Sequence, residues 1–358
     1  MINSFHMKGG GFYNTHSSPQ RAAMEHCLPW LLDAINDLEL SADQPVRLLD
    51  VGCSQGANSV AMLQQVIEKL RACGAPCIQP SLADLPSNDF NSVFEKLFPD
   101  GENCFGSSDV LPAVIGGSAY ERLVPAKSLQ IATTFNMLGW RREHPKGRIP
   151  NTVGAFLPTP YGPQDDSIDP ALVDAVNAEA KPDLVYFLRA RAAELIPGGK
   201  MLVQIFGSSD DGGSTAHGWL DALNDVIREM ITEGILCQQA FDDFLFPCLW
   251  RKLDDLLEPL EQVEDLRTAF TIEKSASWEV PTDFTERFAE TGDVQQWAED
   301  YIGLLRAVTE TTLADLFPIP QRTELMDDVY NRVKARFISD PVRYQFHFYS
   351  IAVLLTRN

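Results

Sequence analysis

Two hydrophobic periods alternate along the first two hundred residues. Between residues 17 and 38, Ala23, Cys27, Trp30, Leu31, Ala34 and Leu38 recur at spacings of 3 and 4, the mark of an amphipathic helix. Ser17 or Ser18 is placed to cap it, and Pro19 suits its first turn. PVRLLDVGCSQGAN (45–58) reads as a buried strand, a glycine-containing turn and the start of a helix that runs from about Asn58 to Cys73. CIQPSLADL (77–85) is a second strand, followed by a helix in SNDFNSVFEKLF (87–98). VLPAVIGG (110–117) and SLQIATTF (128–135) are further short apolar runs. A Pro/Gly-rich stretch at 145–163 predicts a long loop. Residues 170–195 predict a helix, PGGK (197–200) stops it, and MLVQIFG (201–207) is the next strand.

Strands alternating with helices imply a parallel sheet covered on both faces. Beyond residue 215 the pattern changes. Residues 217–265 and 284–337 are mostly helical, while FTIEKSASWEV (270–280) and FHFYSIAVLLTRN (346–358) read as strands. The expected fold class is α/β: a doubly wound, Rossmann-like sheet with a helical cap lobe inserted late. The expected organisation is a core over 1–215, a mainly helical cap over 216–340 whose strand near 270–280 returns to the core sheet, and a C-terminal core strand over 341–358.

Composition narrows the function. With 358 residues, 45% of them hydrophobic, a large core is possible. Twenty-nine Lys and Arg against 50 Asp and Glu leave a net charge of −21. That balance disfavours nucleic acid and anionic membrane as partners. The seven cysteines are scattered with no CxxC pair, which argues against a disulfide framework or a zinc site. MINSFHMKGG contains no apolar run, and no stretch of about 18 apolar residues exists to span a membrane. The expectation is a cytoplasmic protein without a metal centre.

LLDVGCSQGAN (48–58) carries the first chemistry. A strand ends in an acidic residue, and Gly52 and Gly56 allow the backbone to approach a ligand closely. The pattern is D-x-G-x-x-x-G rather than G-x-G-x-x-G. It fits a turn that binds S-adenosylmethionine. A plain αβ turn and a nicotinamide site remain open on this motif alone. ELIPGGKMLVQIFG (194–207) adds weight, although any αβ unit needs a glycine at its C-cap.

Five segments occur together in one order: MKGG…Y…SSPQ (7–20), LLDVGCSQGAN (48–58), LADLPSNDFNSVF (82–94), GGSAYERLVPAKSL (116–129) and FLRARAAELIPGGKM (187–201). With these the chain resembles, over nearly its whole length, the SABATH family. Its members are S-adenosylmethionine-dependent methyltransferases of small carboxylic acids such as salicylate, benzoate, jasmonate and indole-acetate, with a branch that methylates xanthine nitrogens. The resemblance implies that Tyr13 and Ser17 lie against the cofactor and that Asp50, Gly52 and Asn58 line the turn under its methionine part. Asp84 takes the ribose hydroxyls, Leu85 packs beside the adenine, Ser118 reaches its amino group, and Ala119 and Phe135 complete the slot. Gln20 and Trp140 hold the substrate carboxylate. Lys8, Met137, Leu138, Trp219, Phe246 and Phe348 belong to the substrate pocket. The resemblance also implies a homodimer, with S-adenosylhomocysteine as the by-product.

The chain departs from the family pattern in places. TTFNMLGWRREHPKG has one extra residue before Trp140, so counting forward from Thr133 puts Gly139 in the tryptophan's place. Ala119 stands where an aromatic residue follows the GGS serine, and Phe135 replaces a common tyrosine. His217 beside Trp219, and Arg141, Arg142 and Arg148, are candidates for a substrate's second polar group; otherwise they are bystanders on a solvated face.

These residue types suit the reaction. A carboxylic acid of pKa roughly 4 is already ionised at pH 7, so no general base is needed. Aiming it with neutral donors, the Gln20 amide and the Trp140 indole N–H, avoids the ground-state overbinding that a bidentate arginine would bring. N-methylation of a heterocycle, and a cofactor-sensing protein without turnover, are the alternatives.

Overall fold

The computed structural model describes residues 6–156 and 168–358. Seven strands form one sheet: β1 Val46–Val51, β2 Ile78–Asp84, β3 Ala113–Gly116, β4 Leu129–Phe135, β5 Leu195–Phe206, β6 Phe270–Glu279 and β7 Tyr349–Arg357, in the order β3-β2-β1-β4-β5-β7-β6. The first five are parallel, and β7 runs antiparallel to both β5 and β6. The sheet is therefore mixed, not wholly parallel. An apolar run shows that a strand is buried but says nothing of its direction. SIAVLL in β7 is buried on both faces because the strand is inserted between two others.

The strand order reverses at β1, which has β2 on one side and β4 on the other. Crevices in such sheets open beyond the carboxyl ends of the strands at this reversal. Gly52, Asp84 and Phe135, at the ends of β1, β2 and β4, stand there.

The helix Ser18–Ala34 buries Ala23, Cys27, Leu31 and Ala34 as its spacing requires. Ser17 is its N-cap residue, but the hydroxyl makes no cap bond. It instead accepts from Asn58 Nδ2 at 3.2 Å, tying this helix to the next, Ala57–Ala72. The stretch 170–195 is two helices, Pro170–Ala178 and Lys181–Glu194, with Pro182 in the first turn of the second. PGG does not separate helix from strand: β5 already starts at Leu195, pairs with Leu129, and shifts register before Lys200 meets Ile131. The glycines form a bulge inside the strand. Of the loop expected at 145–163, residues 157–163 lie outside the described residues.

Four helices, Trp219–Thr232, Asp283–Thr291, Val294–Leu313 and Arg322–Ser339, build the lobe over the sheet's carboxyl edge. An aromatic core holds them. Tyr301 stacks on Phe337 at 4.1 Å between ring centroids, and Trp297, Phe284 and Phe346 surround the pair. Among the described residues, no helix is long and apolar enough to cross a membrane.

Candidate functional site

The turn after β1 is built on Gly52, whose φ of +90° lies in the left-handed region. A Cβ there would stand 2.6 Å from the Met137 side chain, so only glycine fits. The turn then grips the end of β2. Ser54 N–H donates to one oxygen of Asp84 and Leu85 N–H to the other, both at 2.7 Å, and Asn88 Nδ2 donates to Ser54 O at 2.6 Å. The Asp84 carboxylate is thus aimed by backbone on the wall of a cleft of about 880 Å³. Its pKa is pushed up to about 6: burial within the protein raises it, the two backbone N–H groups counteract, and the Asp50 charge raises it further.

This cleft is lined by Tyr13, Gly52, Asp84, Leu85, Ser118, Ala119 and Phe135, and by Met137. A smaller cavity that shares Tyr13, Gly52 and Phe135 with it is lined also by Asp50, Asn58 and Gln20. Asp50 is buried at the end of β1 and accepts from Ser59 Oγ at 2.5 Å and Thr133 Oγ1 at 2.7 Å. Burial still raises its pKa, against the pull of those hydroxyls. Ser17 lines none of the described cavities; its hydroxyl meets Asn58 instead.

A second cavity, of about 620 Å³, adjoins the cleft, because Met7, Tyr13, Asn136 and Trp140 line both. Gln20, Trp140, Trp219, Phe246 and Phe348 line it, with Phe206, Trp250, Tyr301, Leu304, Leu305 and Phe346. Trp140 lies 5.3 Å from Phe246 and Trp219 lies 5.9 Å from the same ring. None of the described lining residues is charged. The Gln20 side-chain oxygen is buried there without a hydrogen-bond partner, a state that costs free energy until a ligand relieves it.

The two ways of counting to the tryptophan meet a steric limit. A Cβ on Gly139 would stand 2.2 Å from the Phe206 ring, so no side chain fits at 139, whereas Trp140 lines both cavities. Three expected pocket residues lie elsewhere. Leu138 is buried in the apolar cluster that includes Leu49 and Met201 of the sheet. Met137 lines the first cleft, pressed on Gly52, rather than the apolar cavity. Lys8 lines neither: its ammonium pairs with Glu310 at 2.9 Å and lies over the Phe12 ring. The cause for 137 and 138 is the tight turn after β4, where Asn136 takes a φ of +58° and sends successive side chains to different walls. His217 is buried outside the lining. Arg141 is no solvated residue: it is 4% exposed and donates to Val176 O at 2.9 Å.

Sequence reasoning missed Asn136, Asn88, Tyr120, Trp250 and Tyr301. Asn136 Nδ2 donates to Gln20 O at 3.3 Å, and its oxygen accepts from Gln204 at 3.1 Å. Tyr120 lines the cleft next to Ala119. The aromatic residue missing after Ser118 therefore arrives one position later, and GGSAY carried that signal.

The N-terminal segment connects everything. Gln55 Nε2 donates to Lys8 O at 2.5 Å, Asn14 Nδ2 to Gln55 O at 3.1 Å, and Gly10 N to Asp89 Oδ2 at 3.0 Å, all on the sheet side. On the lobe side Lys8 N donates to Ala307 O at 3.0 Å, and Ser18 Oγ to Asp283 at 3.0 Å. Met7, Tyr13 and Gln20 of this segment face the cavities between.

Comparison with known proteins agrees with this architecture. The family model described as SAM dependent carboxyl methyltransferase matches residues 2–358. A salicylate carboxymethyltransferase of Clarkia breweri is 28% identical over 371 residues, covering 98% of this chain and 97% of that protein. Gibberellic acid methyltransferase 2 of Arabidopsis thaliana is 25% identical over 88% of this chain and 83% of its own. A 3,7-dimethylxanthine N-methyltransferase of Camellia sinensis var. assamica is 26% identical over 92% and 88%. The fold is also that of a loganic acid methyltransferase solved with SAH, with a TM-score of 0.78, 22% identity and 98% coverage of both chains.

Proposed function

The chain belongs to the S-adenosylmethionine-dependent carboxyl methyltransferases, and from that premise we propose that Gln20 and Trp140 hold the carboxylate of a small acid while it is converted to its methyl ester. The observation that carries this reading is that Gln20 and Trp140, two neutral side chains with N–H donors, line an aromatic cavity adjoining the cleft that holds Gly52 and Asp84. The Gln20 amide N–H₂ would donate to the carboxylate, and the Trp140 indole N–H would add a second neutral donor.

The cleft suits the cofactor. Gly52 gives backbone access that a Cβ would close, and the Asp84 carboxylate is an acceptor for ribose hydroxyls. Asp50 and Asn58 would hold the methionine part, and Leu85, Ser118, Ala119, Tyr120 and Phe135 the adenine. When bound, the cofactor supplies a methyl group on a positive sulfur. The residues of this chain position the acid and exclude water from it. An anion and a cation lose their charges as such a reaction proceeds, so an apolar cavity favours the transition state over separated ions. Positioning contributes more, about 7–11 kcal/mol in favourable cases. We also propose a cytoplasmic homodimer; seven free cysteines suit a reducing compartment.

The test is methyl transfer from methyl-labelled cofactor to aryl, indole, terpenoid and dicarboxylic acids and xanthines, followed by mild base. Label released as methanol marks an ester and supports the reading. Label that survives base marks N-methylation and overturns the assignment of Gln20 and Trp140. Gln20→Ala and Trp140→Ala should each lower kcat/KM for the acid by roughly 10- to 100-fold, a larger effect than either has on cofactor affinity. Unaltered kinetics in both would refute the clamp.

A further inference from the structure

The second cavity contains more hydrogen-bonding capacity than a carboxylate clamp uses. Trp250 and Tyr301 line it but not the cofactor cleft, whereas Trp140 and Tyr13 line both. Gln20 in turn also lines the smaller cavity that holds Asp50 and Asn58, whereas Trp250 and Tyr301 line neither that cavity nor the cleft, so they belong to the side away from the carboxylate end. They are 7% and 1% exposed, and neither the Trp250 indole nitrogen nor the Tyr301 hydroxyl has a hydrogen-bond partner. Buried polar groups of this kind are rare, and each calls for an explanation.

The Thr215 and Asn136 side chains in the lining are already engaged. Thr215 Oγ1 accepts from Tyr349 N at 2.9 Å and donates to Tyr349 O at 3.2 Å. Asn136 is held between Gln20 and Gln204. Charge excludes one class of group. Among the described residues no cation lines the cavity, and the Asp221 carboxylate lies near enough to Tyr301 to disfavour its ionisation. A second carboxylate would be buried without compensation beside that negative charge.

Resting on the carboxyl reading above, we propose that the acid methylated by this enzyme is a monocarboxylic acid whose apolar body carries, away from the carboxylate, one uncharged hydroxyl or carbonyl oxygen recognised by Trp250 and Tyr301. The indole N–H and the phenol O–H both donate, so an acceptor oxygen satisfies them. A site that hydrogen-bonds such an oxygen discriminates against the analogue lacking it, because its own groups are then left unpaired.

The experiment compares 3-phenylpropanoic acid, its 2-, 3- and 4-hydroxy and 4-acetyl derivatives, and its 4-carboxy derivative. Methyl ester formation is measured as kcat/KM, and binding to protein saturated with S-adenosylhomocysteine is measured by calorimetry. The best hydroxy or acetyl acid should exceed both the plain and the dicarboxylic acid at least tenfold. Tyr301→Phe or Trp250→Phe should cut that preference threefold or more, lowering the derivative's kcat/KM more than that of the plain acid. Equal use of the plain acid and every derivative overturns the proposal, as does an equal loss on all acids in both variants. If no acid is esterified, the carboxyl reading fails separately. The calorimetric preference then decides the proposal: kept in wild type and reduced in the variants, it stands; absent, it falls.

Discussion

At Asp84 opposing effects meet in one carboxylate. Burial lifts its pKa to about 6, while Ser54 and Leu85 N–H hold the charged form in place. The ordinary aspartate value is about 3.9. Between about pH 4 and 6 the folded, cofactor-free protein thus retains a proton that the unfolded chain has lost. Stability falls as pH rises through this window. Ribose hydroxyls donating to the carboxylate favour its charged form, so cofactor affinity should rise up to about pH 6 and then level. Asp84→Asn should flatten both profiles and weaken cofactor binding roughly 10- to 100-fold. Calorimetry from pH 4.5 to 8 checks this, and an affinity independent of pH in the wild type would count against the role. The residue scale also shows what patterns conceal. Gln20 was legible from its motif, but its buried, unpartnered oxygen was not, because the atoms it lacks are defined only by the walls around it.

At the scale of the element, the turn between β1 and the helix Ala57–Ala72 separates two glycines that the sequence presents alike. Gly52 and Gly56 both have positive φ, +90° and +88°. A Cβ at 56 would meet Val93 no closer than 3.5 Å, ordinary contact, whereas at 52 it would stand 2.6 Å from Met137. Gly56→Ala should cost about 1–2 kcal/mol for the backbone alone. Gly52→Ala adds a clash and should cost more, with cofactor affinity falling in step, since Met137 is displaced into the cleft. Chemical denaturation and cofactor titration of both variants measure the difference; equal effects would reject the steric account. The order of helices and strands was readable here because each element has its own period. Strand direction was not, and so β7 between β5 and β6 came from the structure.

Across the whole molecule, the adenine side of the cleft is braced from outside the site. Arg191 and Glu194, both fully buried, pair at 2.5 Å. Arg191 also donates to Ala119 O at 3.0 Å and Glu121 O at 2.8 Å, and Glu194 accepts from Val124 N at 3.2 Å. The helix Lys181–Glu194 thereby fixes the loop that carries Ser118, Ala119 and Tyr120. Arg191→Met would leave the Glu194 charge buried and should cost about 3–5 kcal/mol of stability, with weaker cofactor binding in the fraction that stays folded. The paired change Arg191→Met with Glu194→Gln should recover part of the stability. A double variant no better than the single one would show that the carbonyl contacts, rather than the stranded charge, set the loss.

Local chemistry along the chain determined a good deal by itself. The alternation of periods specified an α/β sheet with a helical lobe, and five short motifs specified the family, since turn glycines, strand-end acids and caps act over a few residues. Tertiary structure decided the rest. Whether Leu138 faces a ligand or joins the sheet's apolar cluster, whether Ser17 caps a helix or meets Asn58, and whether Arg141 is solvated or enclosed depend on elements distant in sequence. The wall of the second cavity is the clearest case. Gln20, Trp140, Trp250, Tyr301 and Phe348 are scattered over more than three hundred residues. No spacing rule relates them, because what unites them is the packing of the helical lobe against the sheet's carboxyl edge.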